Sequence, residues 1–312
     1  MTTQEPPNLQ QFFDAKEPIN SAKLVQLSGL EAAQVEEVKG YWQAAPVFRK
    51  EALVDQMLTL IEDNVDMDFT AIFRLALDEP NSDIVVKAID GLWECKERWL
   101  LERLITMAQT NSRDDVRAAA ALGLGKFVLL GALEEIRPAL LERVEQTLRD
   151  IIDNADEPVV IRRRAVEALS QSPDPAVHDV IRDAYSSAEL DMKLAALYAM
   201  GQACDDGWLP VLLSEMHNED PSIRYEAARA TGELEDPRAI PALVELTKED
   251  DPEIQEVSIE ALGRIGGDEA KNALREIMSW PDARVKEAAA LALEELTSSA
   301  DPLSFPEEDD DK

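Results

Sequence analysis

Few side chains in this sequence could carry out catalytic chemistry. His178 and His217 are the only histidines among 312 residues, and neither belongs to an HExxH motif or has a glutamate beside it. Catalytic zinc is usually held by several histidines, so two isolated histidines give no reason to predict a metal site. The patterns GxSxG, GxxxxGK[ST] and GxGxxG, which mark a nucleophile or a phosphate loop, do not occur either. We therefore expect no cofactor, no metal and no catalytic residues.

Paired acids and single cysteines have simpler structural explanations. Asp205/Asp206 and Asp250/Asp251 precede predicted helices, where free N–H groups and the helix dipole favour a carboxylate. Cys95 and Cys204 are too few for a disulfide framework and are predicted to be small, reduced core residues.

Tyrosine and arginine side chains form the set best suited to binding. The chain has 64 acidic and 31 basic residues and a formal net charge of -33, so a group of arginines stands out. Tyrosine and arginine are enriched at binding hot spots. The alternative is that the arginines pair with acids of a neighbouring repeat. The candidate partner-binding residues are Arg163, Arg164, Tyr198, Tyr225 and Arg229.

These residues belong to a segment that recurs along the chain. Five copies begin at Ile161, Met192, Ile223, Ile254 and Val285, each 31 residues after the last. Positions 1, 5, 8, 9 and 12 of each copy are small or apolar, which predicts one buried stripe along a helix. Positions 3, 4, 7 and 11 lie off that stripe, on the surface expected to be concave in a stack of such repeats. The five candidates occupy these positions.

Each period has room for two helices. Asp220 and Asp251, each followed by proline, predict the start of the repeated helix, because aspartate caps it and proline suits its first turn. Gly201, Gly232, Gly263 and Gly266 near its end predict close helix packing or a left-handed cap. The period therefore predicts an all-α chain, an α-solenoid of about seven helix pairs with a helical cap at its N-terminus.

The segments 220–232 and 251–263 resemble the short HEAT-like repeats of phycobilin lyase subunits, which carry the pattern D-P-x-V-R-x-x-A-x-x-A-L-G. The resemblance covers roughly residues 66–297 and implies the α-solenoid fold. It implies less about function, because such repeats serve enzymes, chaperones and scaffolds.

Four segments are predicted along the chain. Residues 1–28 are expected to be a mobile arm, and residues 29–65 a helical cap sealed by Trp42 and Phe48. Residues 66–297 form the repeat array, with an insertion around 128–145 that extends or doubles a first helix. Residues 298–312, with five consecutive acids, are expected to be a disordered acidic tail.

Two functions stay open. The first is a non-enzymatic scaffold or adaptor that binds a protein partner on its concave surface. The second, which the resemblance implies, is a bilin-binding lyase or chaperone subunit. The negative charge disfavours nucleic acid and anionic membranes as partners. Because no signal peptide or apolar span is evident, the chain is expected in the cytoplasm.

Overall fold

A computed structural model describes the backbone of residues 8–300 and the side chains of residues 8–297. All regular elements in this part of the chain are helical, as predicted. Residues 1–7 of the expected arm and residues 301–312 of the expected tail lie outside the described residues. The α-helices are α1 (Ala32–Ala44), α2 (Val47–Asp63), α3 (Thr70–Ala76), α4 (Ser82–Gly91), α5 (Arg98–Thr110), α6 (Asp114–Gly123), α7 (Gly125–Ala132), α8 (Pro138–Asp153), α9 (Val159–Leu169), α10 (Val177–Tyr185), α11 (Leu190–Gln202), α12 (Leu209–Glu215), α13 (Pro221–Leu234), α14 (Ile240–Leu246), α15 (Pro252–Ile265), α16 (Gly267–Ile277) and α17 (Ala283–Ala300).

The chain divides into two compact units, Met1–Ala168 and Leu169–Lys312. In the second unit α10, α12, α14 and α16 each pack against the following helix, and we call these four the first helices. Their partners α11, α13, α15 and α17 are the second helices, and each packs on the next. The first unit stacks α2, α4 and α6 in the same manner. This is α-solenoid architecture, and the predicted fold class is confirmed.

The second helices begin where the sequence predicts. The carboxylate of Asp220 accepts a hydrogen bond from the backbone N–H of Ser222 at 2.8 Å, and Asp251 accepts one from Glu253 at 3.0 Å. These bonds satisfy donors that the first turn of a helix leaves free. The helices then bury the small and apolar stripe. In α13 the stripe consists of Ile223, Ala227, Ala230 and Thr231.

Glycines bring neighbouring second helices into close contact. A Cβ atom on Gly201 would lie 2.7 Å from the Cα of Ala230, and one on Gly232 would lie 2.9 Å from the Cα of Ala261. Both distances are too short for carbon atoms that are not bonded. Only glycine therefore allows this helix spacing. The predicted close packing is confirmed here, while Gly266 has a φ of +66° and ends α15.

The N-terminal segment differs from the mobile arm expected over residues 1–28. In its described part, two 3₁₀ turns, Leu9–Phe12 and Ser21–Leu27, bury apolar side chains. The buried guanidinium of Arg49 in α2 donates to the carbonyl oxygens of Phe12 at 2.6 Å and Glu17 at 2.8 Å. These backbone bonds hold the segment against α2.

Two single-residue expectations also fail. Trp42 is buried, as expected of a cap, but Phe48 is 60% exposed because the buried side of α2 carries Arg49, Leu53 and Val54 instead. Cys95 is buried, whereas Cys204 is exposed in the turn after α11, where its φ is +49°.

The insertion around 128–145 adds a helix to the first unit. The short helix α7 lies between α6 and α8 and packs on both. The structure therefore resembles the doubled, rather than the extended, first helix of the sequence prediction.

The glycine contacts predict whether alanine raises or lowers the free energy of unfolding at two positions. We expect Gly201→Ala to lower the free energy of unfolding by roughly 1–3 kcal/mol, because the new methyl group meets the backbone of Ala230. Gly40→Ala is the matched control, since a Cβ there meets nothing within 4 Å. It should stabilise the chain by about 0.5–1 kcal/mol through helix propensity. Urea denaturation measures both. Equal effects at the two sites would contradict the packing described.

Candidate functional site

The two candidate residues of the first unit form ion pairs with an acid of their own helix. Arg163 and Arg164 in α9 both bind the carboxylate of Glu167, with N–O distances of 2.8 Å and 2.6 Å. Glu167 is buried, so its charge needs these partners. The acid lies on the same helix and not on an adjacent repeat. The structural interpretation therefore explains these two arginines.

The other three candidates meet on α11 and α13 of the second unit. The guanidinium carbon of Arg229 lies 4.6 Å from the ring centre of Tyr198, which is a cation–π geometry. Arg229 also binds Glu226 at 2.5 Å. Burial lowers the pKa of Arg229, but the hydrogen bond and charge of Glu226 outweigh it and raise the pKa above its usual value. Tyr225 is 36% exposed. The arginine is thus held in place while the surface around it stays accessible.

The 31-residue period extends this surface along all four second helices. At repeat position 3 the helices carry Leu194, Tyr225, Glu256 and Glu287, and at position 7 they carry Tyr198, Arg229, Glu260 and Leu291. We call these eight residues the variable ridge. Every one of them is at least partly exposed. Helices α11 and α13 contribute aromatic, basic and aliphatic side chains to the ridge, whereas α15 and α17 contribute three acids and a leucine.

The sequence analysis predicts three of the eight ridge residues, Tyr198, Tyr225 and Arg229, all of them on α11 and α13. It selected tyrosines and arginines as departures from an acidic background, so acids did not stand out. Comparing repeat positions 3 and 7 across all four second helices identifies the other five ridge residues, which are Leu194, Glu256, Glu260, Glu287 and Leu291.

The acids of the ridge have no cationic partner. In the part of the chain that the structure describes, Glu256, Glu260 and Glu287 form no ion pair. Partial burial raises the pKa of Glu260, and the charges of Glu256 and Glu295 raise it further. Negative charge on this part of the ridge is therefore uncompensated and mutually repulsive.

A polar cluster between α10, α11 and α12 could be mistaken for a catalytic site. The buried carboxylate of Glu215 accepts a hydrogen bond from the Tyr185 hydroxyl and binds Lys193 at 3.0 Å. Burial, followed by the bond to Glu215, raises the pKa of Tyr185 to about 12. A phenol that is harder to ionise is a poor general base at neutral pH. The cluster links three helices, and it has a structural explanation.

Lys126 in α7 is a second buried titratable group. Its ammonium donates to the carbonyl oxygens of Leu92 at 2.6 Å and Trp93 at 3.4 Å, just beyond the end of α4. Burial lowers the pKa of Lys126 to about 8. Lowered lysine pKa values can mark catalytic sites. Here the donors are used to cap a helix, because a cation suits its C-terminal carbonyls.

No three His, Cys, Asp or Glu side chains within residues 8–297 are arranged to hold a metal ion. Within residues 8–300, no helix combines the length and apolar character needed to cross a bilayer.

Residues 209–294, which contain most of the variable ridge, match the family model of HEAT repeats. This segment carries HEAT repeats. This confirms the resemblance seen in the sequence. No functionally curated protein matches the chain significantly in sequence.

Solved structures with similar folds include HEAT-repeat and related proteins of several functions. The Kap95:Nup1 complex is 13% identical, with a TM-score of 0.50, and the match covers 94% of this chain and 46% of that one. The CpcE and CpcF complex of phycocyanin lyase from Nostoc sp. PCC7120 is 16% identical, covers 73% and 94%, and has a TM-score of 0.45. Human deoxyhypusine hydroxylase is 16% identical, covers 80% and 97%, and has a TM-score of 0.33. At such identities the first match supports the fold alone.

The lowered pKa of Lys126, which burial causes, predicts a pH dependence of stability. Its folded pKa of about 8 lies below the ordinary lysine value of 10.5, so the unfolded chain binds more protons between these pH values. Stability from this group therefore rises as pH increases from 8 towards 10.5. Relative to Lys126→Met, the native chain should gain about 2 kcal/mol in unfolding free energy between pH 7 and pH 10. Urea midpoints of both proteins measure this, and a constant difference would contradict the lowered pKa.

Proposed function

We propose that this HEAT-repeat chain is a non-enzymatic protein-binding scaffold whose partner contacts the variable ridge. One observation carries the proposal. Along the second helices the buried positions repeat small and apolar residues, while the exposed positions 3 and 7 change from one helix to the next. Packing explains the repeated positions. It does not explain a surface row that carries aromatic, basic and acidic side chains in succession.

The chemistry of the ridge suits a protein partner. Tyr225 offers a large ring that is accessible to solvent, and the guanidinium of Arg229 lies beside it on α13. Such side chains supply much of the energy of many interfaces. Arg229 is already oriented by Glu226 and Tyr198. Little side-chain entropy is lost when a group of this kind binds, because its conformation is set beforehand.

The overall charge narrows the class of partner. A net charge of -33 repels phosphate backbones and anionic lipid headgroups. We therefore propose a protein partner, met in the cytoplasm, and no contact with nucleic acid or membrane.

The proposal predicts the effect of shortening two ridge side chains. The double variant Tyr225→Ala, Arg229→Ala should recover at least about tenfold less partner than the native chain, since two hot-spot side chains are lost. The measurement is affinity capture from the source cell with quantitative mass spectrometry, and circular dichroism checks that helicity is unchanged.

Phe48→Ala provides the matched control. Phe48 is an exposed aromatic residue of the first unit and lies off the ridge. It should leave capture unchanged. Undiminished capture by the ridge variant, or an equal loss in the control, would contradict the proposal.

A further inference from the structure

A shallow groove runs between α15 and α17, the last two second helices. It encloses about 150 Å³. Its apolar lining includes Ile259, Ala288 and Leu291, and Leu291 is 56% exposed although it is a large aliphatic residue. Together with the apolar lining, the exposed leucine offers apolar surface that an aliphatic side chain of another molecule could cover. The groove has room for an aliphatic side chain.

The rim of this groove is acidic. Glu256 lines it on α15 and Glu287 lines it on α17, while Glu260 lies one turn beyond Glu256. All three carboxylates are exposed, and none forms an ion pair among the described residues. The groove therefore combines an apolar floor with uncompensated negative charge.

The basic residues nearby do not neutralise the rim. Arg284 lines the groove and donates to the amide oxygen of Gln255 at 2.8 Å, so it contributes one positive charge. Arg264 is bound to Glu233, and Lys286 does not line the groove. Among the residues that line the groove, two acids, Glu256 and Glu287, stand against one arginine, so the rim keeps a net negative charge.

We propose that this groove binds a short basic segment of a protein partner, with an aliphatic side chain on Ile259 and Leu291 and lysine or arginine side chains on the ridge acids. The inference rests on the proposed function and specifies which chemistry the α15 and α17 half of the ridge recognises. Charge complementarity selects this occupant. A second copy of the same chain, at a net charge of -33, and the chain's own acidic residues 307–311 both carry the wrong sign.

The test is designed to separate the groove from the general negative charge. A fluorescein-labelled peptide KRLLKRL is titrated with the full chain at about 0.15 M salt, where charges more than about 8 Å apart are largely screened. Fluorescence anisotropy reports binding. We expect saturable binding by the native chain and none for the peptide ELLEELL.

Two variants should weaken binding of KRLLKRL. Glu256→Lys combined with Glu287→Lys removes the acidic rim and should raise the dissociation constant at least about tenfold. Leu291→Ser leaves the charge unchanged, removes apolar contact and should raise it about fivefold. All three residues are exposed, so the fold should tolerate the changes.

The matched control is Asp183→Lys combined with Glu276→Lys. These exposed acids lie on α10 and α16 of the same unit, outside the groove, and their replacement makes the same change in net charge. Its dissociation constant should stay within about twofold of the native value. An equal loss of peptide affinity in this control, or no effect of Leu291→Ser, would overturn the proposal that the groove binds the peptide.

Failure of the groove is distinguishable from failure of the scaffold. If Tyr225→Ala, Arg229→Ala loses partner capture while the groove variants bind peptide like the native chain, the proposed function stands and the groove assignment is wrong. If the peptide binds as expected but the Tyr225 and Arg229 variant captures the partner normally, the groove assignment stands and the proposed function is wrong.

Discussion

Close contact between a glycine of one second helix and an alanine of the next sets the spacing of the second unit. Gly201 meets Ala230, Gly232 meets Ala261, and Gly263 meets Ala292, each pair at the same place in the repeat. The stripe that forms these contacts must stay small, because a larger side chain would push the helices apart. The glycine and alanine positions that make these contacts therefore stay small, while bulky and charged side chains occur at positions that face solvent.

That constraint explains why the fold was easier to predict than the site. The 31-residue spacing, the capping aspartates and the glycines near helix ends each state a local rule that the structure obeys. The N-terminal segment follows no such rule. It is held by hydrogen bonds from Arg49 to carbonyl groups more than 30 residues earlier in the chain. No residue pattern in the sequence predicts these long-range bonds. The exposure of Phe48 likewise depends on which side of α2 packs against the rest of the protein, and the sequence does not specify that side.

The candidate site was half visible in the sequence because its two halves differ in chemistry. Tyr198, Tyr225 and Arg229 were conspicuous in an acidic chain, and the structure brings them together. Arg163 and Arg164 have the same residue type, and their spacing from Glu167 suits an ion pair within one helix. Only the structure shows that this carboxylate is buried and therefore needs them. Charged groups in the interior are paired or hydrogen-bonded, as with Glu215 and Lys126. The acids of the variable ridge form no ion pair among the described residues. This difference distinguishes charged groups that are available to a partner from those that stabilise the fold.

Radical footprinting of the chain, alone and with its captured partner, tests the central claim most directly, because it reports side-chain accessibility residue by residue. The account predicts that the partner protects Tyr198, Tyr225 and Leu291 from oxidation while leaving Phe48, Trp93 and Leu133 as reactive as before. Protection of the latter three residues, with the ridge left reactive, would contradict it.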